Sequence, residues 1–120
     1  MSKADQEEIK RMTTEELAEF IRERIPEDHL LLHLIEEATE LAAAASRLIR
    51  VKRLVLPDEE EAEQTRIDLM DSMSDVKCFS DILIGEEDRL YISVEARNRL
   101  KDCAAILKKQ EVGENGSASE

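Results

Sequence analysis

Residues that form turns and aromatic cores are scarce in this sequence. It contains three glycines and two prolines among 120 residues, whereas an all-β fold needs frequent turn residues. It also has two phenylalanines, one tyrosine and no tryptophan, so a core must be built from Leu, Ile, Ala, Val and Met. Such side chains form the ridges and grooves of packed helices. We therefore predict an all-α fold.

The sequence also lacks the signals of export, of membrane insertion and of metal binding through cysteine. Its first ten residues, MSKADQEEIK, contain no apolar core of the kind that a secretory signal needs. No run approaches the roughly 20 apolar residues of a membrane span. Cys78 and Cys103 follow no ligand spacing, so we expect two free thiols in the core. These absences predict a cytoplasmic protein without a membrane partner.

Positive charge is in short supply, and the net charge is −12 at pH 7. A strongly acidic chain repels nucleic-acid backbones and anionic membrane surfaces, so we expect neither as a partner, and it attracts cations. A polyanionic substrate would have to arrive with a metal ion or meet a local basic patch. The one basic cluster is Arg47, Arg50, Lys52 and Arg53. Complementarity with the C-terminal end of a helix explains that cluster equally well.

Four helices are predicted from the apolar periodicity and its flanking signals. Thr13 and Glu16 have the spacing of a capping box, and Pro26 ends the first helix. Gly85 is expected to end the third helix as a C-terminal cap residue. The predicted helices cover about residues 13–24, 27–51, 60–84 and 93–110.

The helical domain is predicted to span residues 13–110, between a flexible N-terminus at 1–12 and a disordered acidic tail at 111–120. Its second and third helices have apolar stripes with steps of three and four residues. The predicted stripes are Leu30, Leu34, Ala38, Leu41, Ala45 and Leu48 on the second helix, and Leu69, Met73, Val76 and Leu83 on the third. The second helix is apolar over a wider surface than one small bundle covers, so we expect a dimer or tetramer.

Acidic residues stand beside these stripes on both helices. Glu37 and Glu40 are three residues apart, and Asp71 and Asp75 are four apart, so each pair lies on one helix face. If the two helices pack antiparallel, four carboxylates can converge, and clustered carboxylates beside apolar surface need a partner such as a divalent cation. Magnesium prefers oxygen ligands. The pattern predicts a Mg²⁺ site, with Mn²⁺ as the alternative ion, although acids at this spacing also fit a solvated helix face.

Two short motifs resemble those of the MazG-like, all-α nucleoside triphosphate pyrophosphohydrolase superfamily. Residues 36–40, EEATE, match the family's EExxE motif. Residues 71–76, DSMSDV, are similar to the run EELSDV in which the family's ExxD motif often lies. The resemblance covers about residues 28–110, including the segments DVKCFSDIL and EARNRLKDCAAIL. It implies a four-helix bundle-like, MazG-type fold assembled as a dimer or tetramer.

The resemblance also implies a reaction, which is the Mg²⁺-dependent hydrolysis of a nucleoside triphosphate to the monophosphate and pyrophosphate. Such an activity would clear unwanted nucleotides. Glu37, Glu40 and Asp75 would be metal ligands, with Asp71 as the fourth. Glu36 would be the catalytic residue that orients the attacking water, or a further ligand.

Two neighbouring side chains are candidates for contact with the substrate. His33 precedes Glu37 by one helical turn on the same stripe, and Lys77 follows Asp75 by two residues. A hydrogen-bonded surface histidine and a solvated lysine are the simple alternatives.

The second motif departs from the family's pattern at one ligand. The family's glutamate falls on Ser72, whose hydroxyl is a poor magnesium ligand, while Asp71 is acidic with a shorter reach. A second register takes residues 68–71 as the ExxD motif, but it spoils the match to the apolar residues that follow. Two alternatives to an active enzyme therefore stand: a catalytically impaired relative that binds nucleotide or a protein partner, and a helical interaction module whose acids are all solvated.

Overall fold

Helices are the only regular secondary structure among residues 1–56 and 58–118 of this chain. A computed structural model describes those residues, with side chains as far as residue 113. The helices are α1 (Lys3–Arg11), α2 (Thr14–Arg22), α3 (Glu27–Lys52), α4 (Glu59–Leu83) and α5 (Glu86–Ala118). The prediction of an all-α fold is confirmed. The chain divides after Gly85 into two compact units, so that the first contains α1–α4 and the second contains α5.

The N-terminal segment is helical where the sequence predicted a flexible stretch. Ser2 is the N-cap residue of α1, and its Oγ accepts a hydrogen bond from the backbone N–H of Asp5 at 3.1 Å. The same Oγ donates to the Asp5 carboxylate at 2.8 Å. Asp5 in the first turn and Lys10 and Arg11 in the last turn complement the helix dipole. These local interactions stabilise a short helix that has no buried residue.

The start of α2 is the capping box that the sequence predicted. The backbone N–H of Glu16 donates to Thr13 Oγ1 at 3.1 Å, and the backbone N–H of Thr13 donates to Glu16 Oε1 at 3.2 Å. This prediction is confirmed. The helix ends at Arg22, two residues earlier than predicted, and buries Ala18.

The helices α3 and α4 pack against each other as an antiparallel pair, joined by residues 53–58. Their direction follows from contacts near both ends of the pair. The rings of His33 and Phe79 stack at one end, and Arg47 and Glu61 line one cleft near the other. Early residues of α3 therefore lie beside late residues of α4, as the sequence analysis assumed.

The buried and half-buried positions of α3 and α4 alternate in steps of three and four residues, which is the spacing of a coiled-coil seam. The seam positions are Leu30, Leu34, Glu37, Leu41, Ala44, Leu48 and Val51 on α3, and Ala62, Thr65, Leu69, Ser72, Val76, Phe79 and Leu83 on α4. The prediction is wrong at Ala38 and Met73, which are exposed. The neighbouring polar residues Glu37 and Ser72 take their places in the seam, because the seven-residue repeat overrides the polarity of individual side chains.

The C-terminal end of α4 is covered by a side chain from α2. Arg22 donates from Nε to the carbonyl oxygen of Ile82 at 2.7 Å and from Nη2 to that of Ile84 at 2.9 Å. Gly85 has no positive φ, so the expected left-handed glycine cap is not formed. A cap of that kind is unnecessary, because the last carbonyl groups of α4 already have a charged partner.

The second unit is the single helix α5, which begins seven residues earlier than predicted and continues into the predicted tail. Glu86, Glu87 and Asp88 occupy its first turn, where negative charge is favoured by the helix dipole. No side chain of α5 is buried among those described, up to residue 113. Cys78 on α4 and Cys103 on α5 are both exposed, so the prediction of core thiols is wrong. Among the described helices, none combines the length and apolarity needed to cross a membrane.

Candidate metal centre

Three of the four predicted metal ligands converge across the α3/α4 pair. Carboxylate oxygens of Glu37, Glu40 and Asp75 all lie within 4.8 Å of one another. Glu37 and Glu40 share a face of α3 because they are three residues apart, and antiparallel packing brings Asp75 of α4 beside them. Oxygens bound to one Mg²⁺ or Ca²⁺ are at most about 4–5 Å apart, since each lies about 2.0–2.6 Å from the ion. The spacing of the three carboxylates therefore suits a single divalent cation.

The three carboxylates differ in their access to solvent. Glu40 and Asp75 are exposed, whereas Glu37 is half-buried. The Oε2 atom of Glu37 is inaccessible to solvent and has no hydrogen-bond partner among the residues that the structure describes. A carboxylate oxygen in this position lacks the partner that buried polar groups normally have. The donor set of three carboxylates, one of them unsatisfied, is chemically suited to a hard cation.

The electrostatics of this cluster raise the pKa of Glu37 above its ordinary value. Partial burial is the largest cause, followed by the negative charge of Glu40 and by a hydrogen bond with Glu40. That hydrogen bond needs a proton on one of the two carboxyl groups, because ionised carboxylates only accept. The charges of Asp75 and Glu36 raise the pKa further. A bound cation would favour the ionised form and so act against all of these effects.

An aromatic pair lies one helical turn from the carboxylates. The rings of His33 and Phe79 are stacked with their centroids 5.0 Å apart and their planes within 9° of parallel. His33 precedes Glu37 by four residues and Phe79 follows Asp75 by four, so the pair and the cluster share one side of α3 and α4. The sequence indicated His33 but missed Phe79, which looked like an ordinary core residue. The matching offset of four residues on two antiparallel helices is the signal that identifies it.

The remaining predicted residues lie outside this group of three. Asp71 is exposed and is not one of the converging carboxylates. Glu36 is exposed and lies 3.6 Å from His33 through Oε2 and Nδ1. Lys77 forms an ion pair with Asp81 at 2.6 Å, along its own helix. Each of these side chains is on α3 or α4, but none completes the ligand set.

The basic cluster lies farther along α3. Arg47 and Arg50 line a cleft of about 330 Å³ together with Glu61 and Thr65 of α4. Seven residues separate Glu40 from Arg47, which corresponds to about 10 Å along the helix axis. The arginines are therefore not part of the carboxylate cluster.

Comparisons with protein-family models, with curated proteins and with solved structures find no match for this chain. The likeness to MazG-like enzymes therefore rests on the two short motifs. The functional argument rests on those motifs and on the geometry of the α3/α4 pair.

Proposed function

We propose that this chain is a Mg²⁺-dependent nucleoside triphosphate pyrophosphohydrolase that releases a nucleoside monophosphate and pyrophosphate. The observation that supports it is the approach of Glu37, Glu40 and Asp75 to within 4.8 Å. These residues belong to the two segments that resemble the EExxE and ExxD motifs, which are separated by more than 30 residues in the sequence. Chance clustering on an acidic surface has no reason to select the motif residues.

In this proposal, the carboxylates differ in their roles because they differ in exposure. Bound Mg²⁺ would neutralise phosphate charge and supply a water of lowered pKa for attack at the α-phosphorus. Glu40 and Asp75 are exposed and can accept a cation that arrives with its phosphates. Glu37 is held by the helix seam and fixes the position of the site. Glu36, whose charge is felt at Glu37, orients the water.

The stacked pair of His33 and Phe79 would receive the base of the nucleotide. Aromatic faces stack on the rings of bases, and these lie one turn from the proposed metal position. His33 is kept in place by Phe79 on one face and by Glu36 at its Nδ1. We infer no preference for a particular base, because the pair offers a face and no arrangement of donors and acceptors specific to one.

The proposal includes a homo-oligomer in the cytoplasm. Leu31, Leu32, Ile35 and Ile49 of α3 are between 43% and 62% exposed in the single chain. They lie on the side of α3 that faces away from the α4 seam. A second copy is the partner that would cover such a surface in a dimer or tetramer.

A catalytically impaired nucleotide-binding protein is the second candidate, and Ser72 is the observation that favours it. Ser72 is half-buried in the α4 seam at the position of the family's glutamate. Asp71 is outside the group of three carboxylates. The site therefore has one ligand fewer than the resemblance implies, which permits binding without turnover.

The decisive experiment measures pyrophosphate release from a panel of canonical and modified NTPs and dNTPs, with and without Mg²⁺. Glu40→Gln should reduce release by more than ~100-fold, since changes outside the first coordination shell already cost 10–100-fold. Glu63→Gln, an exposed carboxylate of α4 outside the cluster, is the matched control and should retain activity.

Thermal unfolding with and without Mg²⁺ separates the candidates when no pyrophosphate is released. A cation that binds only the folded chain raises its melting temperature. Stabilisation that is lost in Glu40→Gln, without turnover, would indicate the impaired binding protein. No stabilisation by Mg²⁺ and no turnover would contradict both candidates and leave solvated carboxylates on a helical module.

A further inference from the structure

The connection between α3 and α4 exposes three consecutive aliphatic side chains. Leu54, Val55 and Leu56 are 50%, 96% and 89% exposed, and we call residues 54–56 the tip segment. Exposed Lys52 and Arg53 come directly before it. Single exposed apolar side chains are ordinary, whereas a contiguous apolar group with a charged border is typical of a contact surface.

A cleft of complementary character lies at the N-terminus of the same chain. It has a volume of about 520 Å³ between α1 and α2, and its walls include Ile9, Met12 and Phe20. Its charged lining residues are both acidic, Asp5 and Glu8. We call it the α1/α2 cleft. It therefore matches an apolar segment with basic residues at its border, and its volume lies within the range of ligand-binding pockets.

One chain cannot bring its own tip segment into its own cleft. Arg22 at the end of α2 is hydrogen-bonded to the carbonyl groups of Ile82 and Ile84. The tip segment precedes the other end of α4, which begins at Glu59. A helix of 25 residues is about 36 Å long. The two surfaces therefore lie at opposite ends of the first unit.

We propose that the tip segment of one copy docks into the α1/α2 cleft of a second copy. The aliphatic side chains would fill the apolar cleft, while Lys52 and Arg53 would approach Asp5 and Glu8. The acids that follow the tip, at residues 58–61, find opposite charge in the basic last turn of α1. Those same acids, with the net charge of −12, disfavour an anionic membrane as the occupant.

This contact joins two different patches, so each copy keeps one unused tip and one unused cleft. Heterologous contacts of this kind build rings or open chains, whereas a symmetric contact closes at two copies. The expected behaviour is growth of the assembly with protein concentration. A closed dimer or tetramer through the outer face of α3 would persist beside it and serve as the reference species.

Two variants that each disable one half of the contact test the proposal. Val55→Asp charges the tip, and Ile9→Asp charges the cleft. Sedimentation velocity should show that each variant alone stays at the reference species, with association weakened at least ~10-fold. A 1:1 mixture should form a complex that joins one intact tip to one intact cleft and grows no further. Val112→Asp, the same change at an exposed position of α5, should associate like the unmodified protein.

Charge reversal provides a second test that leaves the apolar surfaces intact. Glu8→Lys should weaken association, and Arg53→Glu combined with it should restore association. The proposal is overturned if the unmodified protein shows no growth with concentration, or if the mixture of Val55→Asp and Ile9→Asp has the mass of either variant alone. Circular dichroism confirms that the variants retain their helices, which is expected because all four positions are exposed.

Discussion

The α3/α4 pair and α5 show what a helix of this sequence gains from a partner. Both regions are rich in Leu, Ile, Val and Ala, and both contain long helices. The pair buries Leu30, Ala44, Val51 and Ile82, whereas no described side chain of α5 is buried. Most helical stability in proteins comes from packing of an apolar face rather than from helix propensity. The stability of the single chain should therefore come mainly from the first unit.

The pair also shows where a seam tolerates polar residues. Glu37 and Ser72 occupy seam positions on α3 and α4, and Glu37 takes part in the carboxylate cluster. A half-buried carboxylate without a hydrogen bond at one oxygen destabilises the fold. The cluster thus lies in the part of the molecule whose packing has most stability to spare. No such cluster of three occurs on α5 among its described residues.

Truncation of a seam residue should have the largest effect on stability. Leu30 is 1% exposed, so Leu30→Ala should lower the free energy of unfolding by about 2–5 kcal/mol through lost burial and a cavity. Leu100→Ala on α5, where the side chain is 71% exposed, should change it by no more than about 0.5 kcal/mol. Urea unfolding followed by circular dichroism measures both. Equal losses would show that α5 is packed against a partner in solution.

Removal of the Arg22 contact should have the next largest effect. Arg22→Ala leaves the carbonyl groups of Ile82 and Ile84 without their charged donor and should reduce the free energy of unfolding by about 1–3 kcal/mol. Arg97→Ala, at an exposed position of α5, is the control and should be close to neutral. A loss in the control as large as that in Arg22→Ala would mean that α5, too, depends on a guanidinium contact.

Replacement of Glu37 should change how stability depends on pH. The pKa of Glu37 is raised in the folded chain by burial and by neighbouring acids, so the folded state holds this proton more tightly than the unfolded state. The resulting stability is fully present below the unfolded pKa and is lost as pH rises through the folded pKa. Glu37→Gln stays neutral and should therefore become more stable relative to the unmodified chain as pH rises above that of an ordinary glutamate.

Denaturation at a series of pH values without divalent cations measures this difference. Glu40→Gln should produce a smaller change in the same direction, because it removes one neighbouring charge and leaves Glu37 half-buried. A stability difference between Glu37→Gln and the unmodified chain that does not vary with pH would contradict the raised pKa.

Disruption of the Lys77–Asp81 ion pair should have the smallest effect. Lys77 is 75% exposed and the pair lies along one helix, so Lys77→Gln should change the free energy of unfolding by no more than about 1 kcal/mol. If the protein hydrolyses nucleotides, the KM of the variant should equal that of the unmodified protein. A raised KM with unchanged stability would show that Lys77 leaves Asp81 to reach the substrate.

Local signals in the sequence were enough to predict much of the first unit. Thr13 and Glu16 identify the capping box of α2, and Pro26 separates α2 from α3. The helix α1 was missed because the polar composition of residues 1–12 was weighed above the serine that caps it. The end of α4 was assigned to Gly85 because Arg22, which covers it, is some 60 residues away in sequence and no local pattern reveals such a contact.

The candidate site was predicted in part, and its missing parts have a common cause. The spacing of Glu37, Glu40 and Asp75 within apolar stripes indicated their approach, given antiparallel packing. The exact phase of the seam was wrong because Ala38 and Met73 are apolar and the true seam residues Glu37 and Ser72 are not. Local hydrophobicity therefore misassigned the seam at the positions nearest the proposed function, where such conflicts are expected.

The hydrogen bonds of Arg22 also bear on the order in which the chain folds. The α3/α4 pair joins neighbours in sequence through residues 53–58, so little entropy is lost in closing that loop. The bonds of Arg22 to Ile82 and Ile84 close a far longer loop and should form after the pair. A contact absent from the transition state stabilises the folded chain mainly by slowing its unfolding. Arg22 therefore acts as a late-closing latch, which sets how long the first unit stays folded more than how fast it folds.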